Sequence, residues 1–331
     1  MWKRLKADHR TLAELFGDDP DRVATLSARF ELGEGGMLFD WSKTHLTGEL
    51  LTGFEQLAAA AGFDDLRRRL FAGEVVNATE NRAAEHPALR GVGREESVDE
   101  AAALRERMCV LVQAIHDGAL GDVRHLIHIG IGGSALGPAL AVDALARDLP
   151  MVDVHVVSNI DGVALEAAFD ACDPATTLIA VASKTFTTIE TMTNAESALR
   201  WLQENGVTDA YGRVIALTAY PEKAVEWGVD ETRILPFAES VGGRYSIWSS
   251  IGFPVAMAIG CEEFEAMLAG AAAMDAHFRD ADGRDNLPLR AAFVDQLYTR
   301  LKGAETRAVF AYDERLRLLP DYLQQLEMES N

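Results

Sequence analysis

The stretch "SKTFTTIETMT", residues 183–193, carries a hydroxyl at six of its eleven positions, with Lys184 among them. Threonine is a poor residue for a helix interior, so helix propensity does not account for the cluster. A helix start uses one serine or threonine as an N-cap, which explains one hydroxyl or two. The rest reads as a phosphate cradle: hydroxyls, a lysine and the free N–H groups of a first helical turn, all donating to a dianion. Ser183, Lys184, Thr185 and Thr188 are the candidate contacts.

A second stretch, "HIGIGGSALG" (128–137), runs from an apolar segment through glycines into a helical pattern. Gly130, Gly132 and Ala135 satisfy G-x-G-x-x-A, the dinucleotide fingerprint. That fingerprint also requires an acid at the end of the next strand, where this chain has Ser158 and Asn159, with Asp161 arriving late. A dinucleotide-dependent oxidoreductase therefore rests on the glycine turn alone. A plain tight turn competes with it, and an anion or sugar contact through Gly133 and Ser134 is preferred to both. In "ESVGGRYSIWSSIG" (239–252), two glycines stand before Arg244, which suggests backbone close to a ligand and a guanidinium directed into the same space. The terminal "YLQQLEMESN" (322–331) places Gln325, Glu327 and Glu329 on a helical pattern, where acids ordinarily face solvent.

Other chemistry is not expected. His9, His45, His86, His116 and His277 show no metal-type or triad-type spacing, and His125 and His128, three apart on a strand, face opposite sides. Cys109, Cys172 and Cys261 are far apart in apolar contexts and read as buried thiols, in neither a zinc site nor a disulfide framework. Lys+Arg 31 against Asp+Glu 52 gives a net charge of −21 over 331 residues, which argues against nucleic acid and anionic membrane surfaces. An anionic substrate must then be met by local donors, as the hydroxyl cluster would do. The N-terminus has no signal-peptide core and the apolar run 251–260 is too short to span a bilayer, so a cytoplasmic location is expected.

The elements that would position these residues are legible as texture. Residues 1–120 read as a helical region. From residue 124, "RHLIHIGIGG", "DVHVVSN", "TTLIAVASKT" and "RVIALTAY" are short β-rich runs, each followed by a helical pattern, which predicts an α/β fold with a doubly wound parallel sheet. Helical patterns resume to about residue 301, and "TRAVFAY" (306–312) is predicted to be a strand opening a second, unfinished α/β unit.

Taken together, "IGIGGSALGP", "SKTFTTIET", "VGGRYSIWSSIG" and "QLEMESN", with "FDWSKTHLT", "NATENRAAEHPALR" and "AYDERL", resemble the glucose-6-phosphate isomerase family along the whole chain. The resemblance implies a first sugar-isomerase (SIS) domain at 121–285 and the start of a second at 286–331. It implies that Ser183, Thr185 and Thr188, with the backbone around Lys184, hold a sugar 6-phosphate, and that Gly133 and Ser134 share that pocket. Arg244, with Gly243 beside it, would lie near the C1 and C2 oxygens. Gln325 would line the site, and Glu329 would move a proton between C2 and C1. No cofactor and no metal are implied, and family members are homodimers. They continue past "MESN", so the expectation is an N-terminal portion of such an isomerase. Its alternative is a non-catalytic protein that binds sugar phosphate.

Overall fold

A computed structural model describes residue 5 and residues 8–329, with only the backbone of Glu329. The chain divides into two compact units, one of residues 1–76 with 270–308, the other of residues 77–269 with 309–331.

In the first unit, helices α1 (Leu12–Asp18) and α2 (Arg22–Leu26) precede a hairpin of β1 (Ser27–Leu32) and β2 (Gly35–Asp40), and α3 (Gly48–Ala60) and α4 (Phe63–Phe71) follow. The hairpin corrects the expectation that residues 1–120 are helical. Leu32 pairs with Gly35, which leaves a two-residue turn whose Gly33 has φ +56, the left-handed geometry such turns require. α3 buries Leu50, Leu51 and Phe54 with Leu287, Leu289 and Phe293, and the Phe54 and Phe293 rings stack with centroids 5.4 Å apart.

The second unit is built on a five-stranded parallel sheet. In chain order its elements are α5 (Glu95–His116), β3 (His125–Gly130), α6 (Leu136–Leu145), β4 (Asp153–Val157), α7 (Gly162–Ala171) and β5 (Thr177–Ala182). Then come α8 (Ile189–Glu204), β6 (Val214–Thr218), α9 (Pro221–Trp227), β7 (Ile234–Pro236), α10 (Phe253–Ile259) and α11 (Cys261–Asp280). Helix α12 (Leu287–Gln296) belongs to the first unit, and α13 (Leu319–Gln324) to the second. The β-rich runs read from the sequence coincide with β3 to β6.

Every residue of β5 is buried, as a near-continuous apolar run in a parallel strand requires. Side chains alternate between two helical layers. Leu126, Leu178, Ile215 and Leu217 pack with Met108, Ala141, Phe253 and Phe264 of α5, α6, α10 and α11. Ile127, Ile129, Ile179 and Val181 pack with Leu165, Leu199 and Ala224 of α7, α8 and α9. Helices thus cover both faces of the sheet, and its strand order is β4-β3-β5-β6-β7. In that order the chain reverses direction across the sheet between β3 and β5, which is where ligands settle in open α/β sheets.

Two further expectations are corrected. Residues 306–312 form no strand; Phe310 and Tyr312 stand 75% and 100% exposed. A β-prone composition is not enough where no neighbouring strand takes up its backbone hydrogen bonds. Cys109 of α5 and Cys261 of α11 are joined in a disulfide with Cα atoms 5.8 Å apart, so Cys172 is the free thiol. A separation of 152 residues conceals a contact that helix packing creates.

Candidate active site

β3 and β5 end side by side, with Gly130 paired to Ala182, so the turns that leave them are neighbours at the switch point. The first turn, Gly132–Ser134, is anchored from beneath. His128, fully buried on β3, donates from Nε2 to the Ser134 carbonyl at 2.7 Å. Burial pushes this imidazole down to about 4, so it stays neutral, with its proton on the bonded nitrogen. Gly133 lies against the second turn, Gly243–Trp248: a Cβ on it would stand 2.2 Å from the Gly243 carbonyl oxygen and 2.7 Å from the Arg244 nitrogen. The Ser246 hydroxyl donates to the Gly243 carbonyl at 2.6 Å and lies 3.3 Å from that of Gly133. Only glycine permits this approach. Beside Gly243, by contrast, there is open space.

The hydroxyl-rich turn leaves β5. Ser183 is buried and its Oγ is 3.0 Å from Thr188 Oγ1, while Thr187 donates to Thr185 at 2.8 Å. Phe186 is buried and takes φ +52, a left-handed conformation unusual for a bulky residue; its ring joins the core on the α7–α9 face of the sheet, while Thr185 and Thr187 on either side of it are exposed. Thr188 occupies the N-cap position of α8 but makes no capping bond with its side chain, which engages Ser183 instead. The first N–H groups of a 16-residue helix are therefore left without a hydroxyl cap, next to exposed Thr185. Lys184 is placed differently from the reading of a cation in the cradle. Its ammonium donates to the carbonyls of Glu239 and Val241 at 2.8 and 3.2 Å, tying this turn to the loop before Arg244, and burial lowers its pKa.

Arg244 is positioned by residues that spacing did not single out. Its guanidinium lies 4.7 Å from the Tyr245 ring centre, and His86 stacks on Tyr245 with centroids 4.4 Å apart and planes at 16°. His86 is pushed down to about 3, first by burial and then by the charges of Arg90 and Arg244. A neutral imidazole can stack there without repelling the arginine. Arg90, four residues on, covers Trp248 at 5.0 Å, so the segment 86–90 meets the arginine turn at Tyr245 and at Trp248. The segment "NATENRAAEHPALR" carried the resemblance, but a lone histidine gives no local sign of stacking.

The chain's end completes this group. Tyr322 and Ile247 approach Gly137 of α6, which places α13 beside the arginine turn. After α13 the backbone widens into an i→i+5 turn, Gln325–Glu329, that packs on Gly243–Trp248. Gln325 is half-buried, and its Oε1 is buried with no hydrogen-bond partner among the described residues. The side chain of Glu329, the candidate base, lies outside the described residues.

The fold and the site define a doubly wound α/β protein with glycine, hydroxyl and arginine turns gathered at one switch point. A sequence model of the family described as "Phosphoglucose isomerase" matches residues 40–331, and the chain belongs to that family. It is 69% identical over 334 residues to the glucose-6-phosphate isomerase of Erythrobacter litoralis (strain HTCC2594), covering 98% of this chain and 65% of that protein. It is 68% identical over 321 residues to the enzyme of the same name from Novosphingobium aromaticivorans, covering 97% of this chain and 63% of that protein. The crystal structure of a glucose-6-phosphate isomerase from Chlamydia trachomatis D/UW-3/Cx superposes with TM-score 0.86 at 26% identity, covering 97% of this chain and 63% of that one. The chain thus spans under two thirds of the length of these relatives. Among the described residues, no helix is long and apolar enough to cross a membrane.

Proposed function

We propose that this chain carries the sugar-phosphate site of an aldose–ketose isomerase acting between D-glucose 6-phosphate and D-fructose 6-phosphate, on a sugar-isomerase (SIS) domain within residues 121–285. The observation that carries this reading is the pairing at the switch point of an uncapped, hydroxyl-rich helix start with an arginine turn. The 6-phosphate accepts from Ser183, Thr185, Thr188 and the first N–H groups of α8, with Gly133 and Ser134 closing the pocket. Such a site needs directed donors and not a positive global field, which suits a chain of net charge −21.

The reacting carbons then lie toward Arg244, Gln325 and Glu329. In the open-chain aldose, the Glu329 carboxylate takes the proton from C2 as electrons pass to O1, giving a cis-enediol(ate). The same carboxylate returns the proton to C1 while O2 becomes the ketone oxygen and its proton moves to O1. Arg244 stays charged throughout and stabilises the oxyanion without competing for the proton. Phosphate binding away from C1 and C2 supplies orientation. No cofactor enters this scheme. A homodimer is the proposed assembly.

The test separates binding from turnover. Glu329→Gln should abolish isomerisation in a coupled assay while 6-phosphogluconate affinity, read by calorimetry, changes less than about threefold. The Thr185→Ala, Thr188→Ala double variant should weaken that affinity first, by roughly a hundredfold to ten-thousandfold for two lost charge-assisted bonds. Equal loss of 6-phosphogluconate binding in the Glu329 variant would make the residue structural and overturn its role. Binding without turnover in the unaltered chain would reduce the activity to sugar-phosphate binding.

A further inference from the structure

At the opposite end of β3 from the switch point, three metal-binding side chains converge that no sequence spacing connects. His125 opens β3, His155 lies on the neighbouring strand β4, and Cys172 caps the C-terminus of α7, which covers that face. The register pairs His125 with Asp153 and Ile127 with His155, so both imidazoles project from the same side of the sheet as diagonal neighbours. One ligand atom from each of the three lies within 4.8 Å of the others. The ring centroids of the two histidines are 6.2 Å apart. Nδ1 of His125 and Nε2 of His155 are buried with no hydrogen-bond partner among the described residues, an arrangement that costs free energy unless something accepts or binds there.

We propose that His125, His155 and Cys172 form a binding site for a borderline-soft divalent cation of the zinc class. Two imidazoles and a thiolate suit such an ion and exclude calcium and magnesium, which take oxygen ligands. A tetrahedral ion with bonds of about 2.0–2.3 Å holds its ligand atoms about 3.3–3.7 Å apart, so a contraction of at most about 1.5 Å closes the site. Exposed Asp153, the register partner of His125, leaves a carboxylate or a water for the fourth position. On binding, the Cys172 thiol proton leaves to solvent as the sulfur–metal bond forms.

The site joins the edge strand β4, the strand β3 beside it and the end of α7. Gly130 lies five positions beyond His125 on β3, about 16 Å along the strand. Its role is to clamp the edge of the sheet, and it stands or falls independently of the sugar-phosphate reading.

The test uses the 331-residue chain, stripped with a chelator and titrated with Co²⁺ and then Zn²⁺. Cys109 and Cys261 are bonded to each other, so a thiolate-to-cobalt charge-transfer band in the near ultraviolet reports Cys172 alone. The expected result is one Co²⁺ per chain with that band, displaced by Zn²⁺, and a rise in Tm with Zn²⁺. Cys172→Ser should lose the band, and His155→Asn should weaken Co²⁺ affinity by at least about tenfold. His125→Gln serves as a second ligand variant if either of these fails to fold. Absence of the band from the folded chain, or the same affinity in the folded histidine variants, would overturn the proposal and leave only diffuse binding to the acidic surface.

Discussion

An alanine at position 133 introduces a methyl carbon 2.2 Å from the Gly243 carbonyl oxygen and 2.3 Å from its carbon. A carbon and an oxygen in contact stand about 3.2 Å apart, so the overlap is about 1 Å. Both partners are backbone, and no rotamer change relieves it. Either the Gly132–Ser134 turn or the Gly243–Arg244 turn must retreat, and the Ser246 hydroxyl that spans them loses one of its two carbonyls. Overpacking of this kind costs about 1–3 kcal/mol. An arginine displaced by about 1 Å from its working position costs up to about a hundredfold in turnover. Gly133→Ala should therefore show a lower urea midpoint at unchanged m-value, together with weaker calorimetric binding of 6-phosphogluconate. Gly243→Ala is the matched control, because the space beside Gly243 is open, and it should stay within about 0.5 kcal/mol of the unaltered chain. Equal stability of the two variants would refute the argument that close approach at Gly133 fixes the arginine turn.

Acid should loosen the same turn through His128. Its folded pKa is about 4 against an ordinary 6.5, so between those values the unfolded chain holds a proton that the folded chain lacks. Stability is then complete above about pH 6.5 and falls as pH falls, by about 3 kcal/mol from this group. His128→Gln, which keeps a donor for the Ser134 carbonyl, should flatten the slope of urea stability against pH across that window, and an unchanged slope would refute the assignment. Reducing the Cys109–Cys261 bond, or replacing Cys109 by Ser, should lower the stability of the sheet-containing unit by about 2–4 kcal/mol. Non-reducing peptide mapping checks the pairing, and two free thiols there would remove it.

Much of the sheet was legible before folding because a buried parallel strand must be apolar on both faces. "TTLIAVASKT" and "RVIALTAY" satisfy that rule locally and became β5 and β6. The hydroxyl cluster was legible for a related reason: residues that helix propensity disfavours need another explanation. The hairpin at 27–40 was also available in principle, since its Gly33-Glu34 turn lies between β-prone runs. "TRAVFAY" misled because β propensity describes a fit to neighbours, and the chain there meets no strand.

The sequence by itself determined which segments could be buried strands and marked the hydroxyl-rich and glycine turns as candidates for an anion contact, whereas that Gly133 meets the backbone of Gly243 was decided by the fold. The tertiary structure alone decided which distant residues became neighbours. It joined Cys109 to Cys261, set His86 under Tyr245 and Arg244, turned Lys184 into a tie between loops, and drew His125, His155 and Cys172 to one edge of the sheet. The physical reason is range. Periodicity and propensity act within a few residues along the chain, whereas strand register and helix packing bring together residues as far apart as Phe54 and Phe293, 239 positions from each other, and no local pattern encodes such contacts.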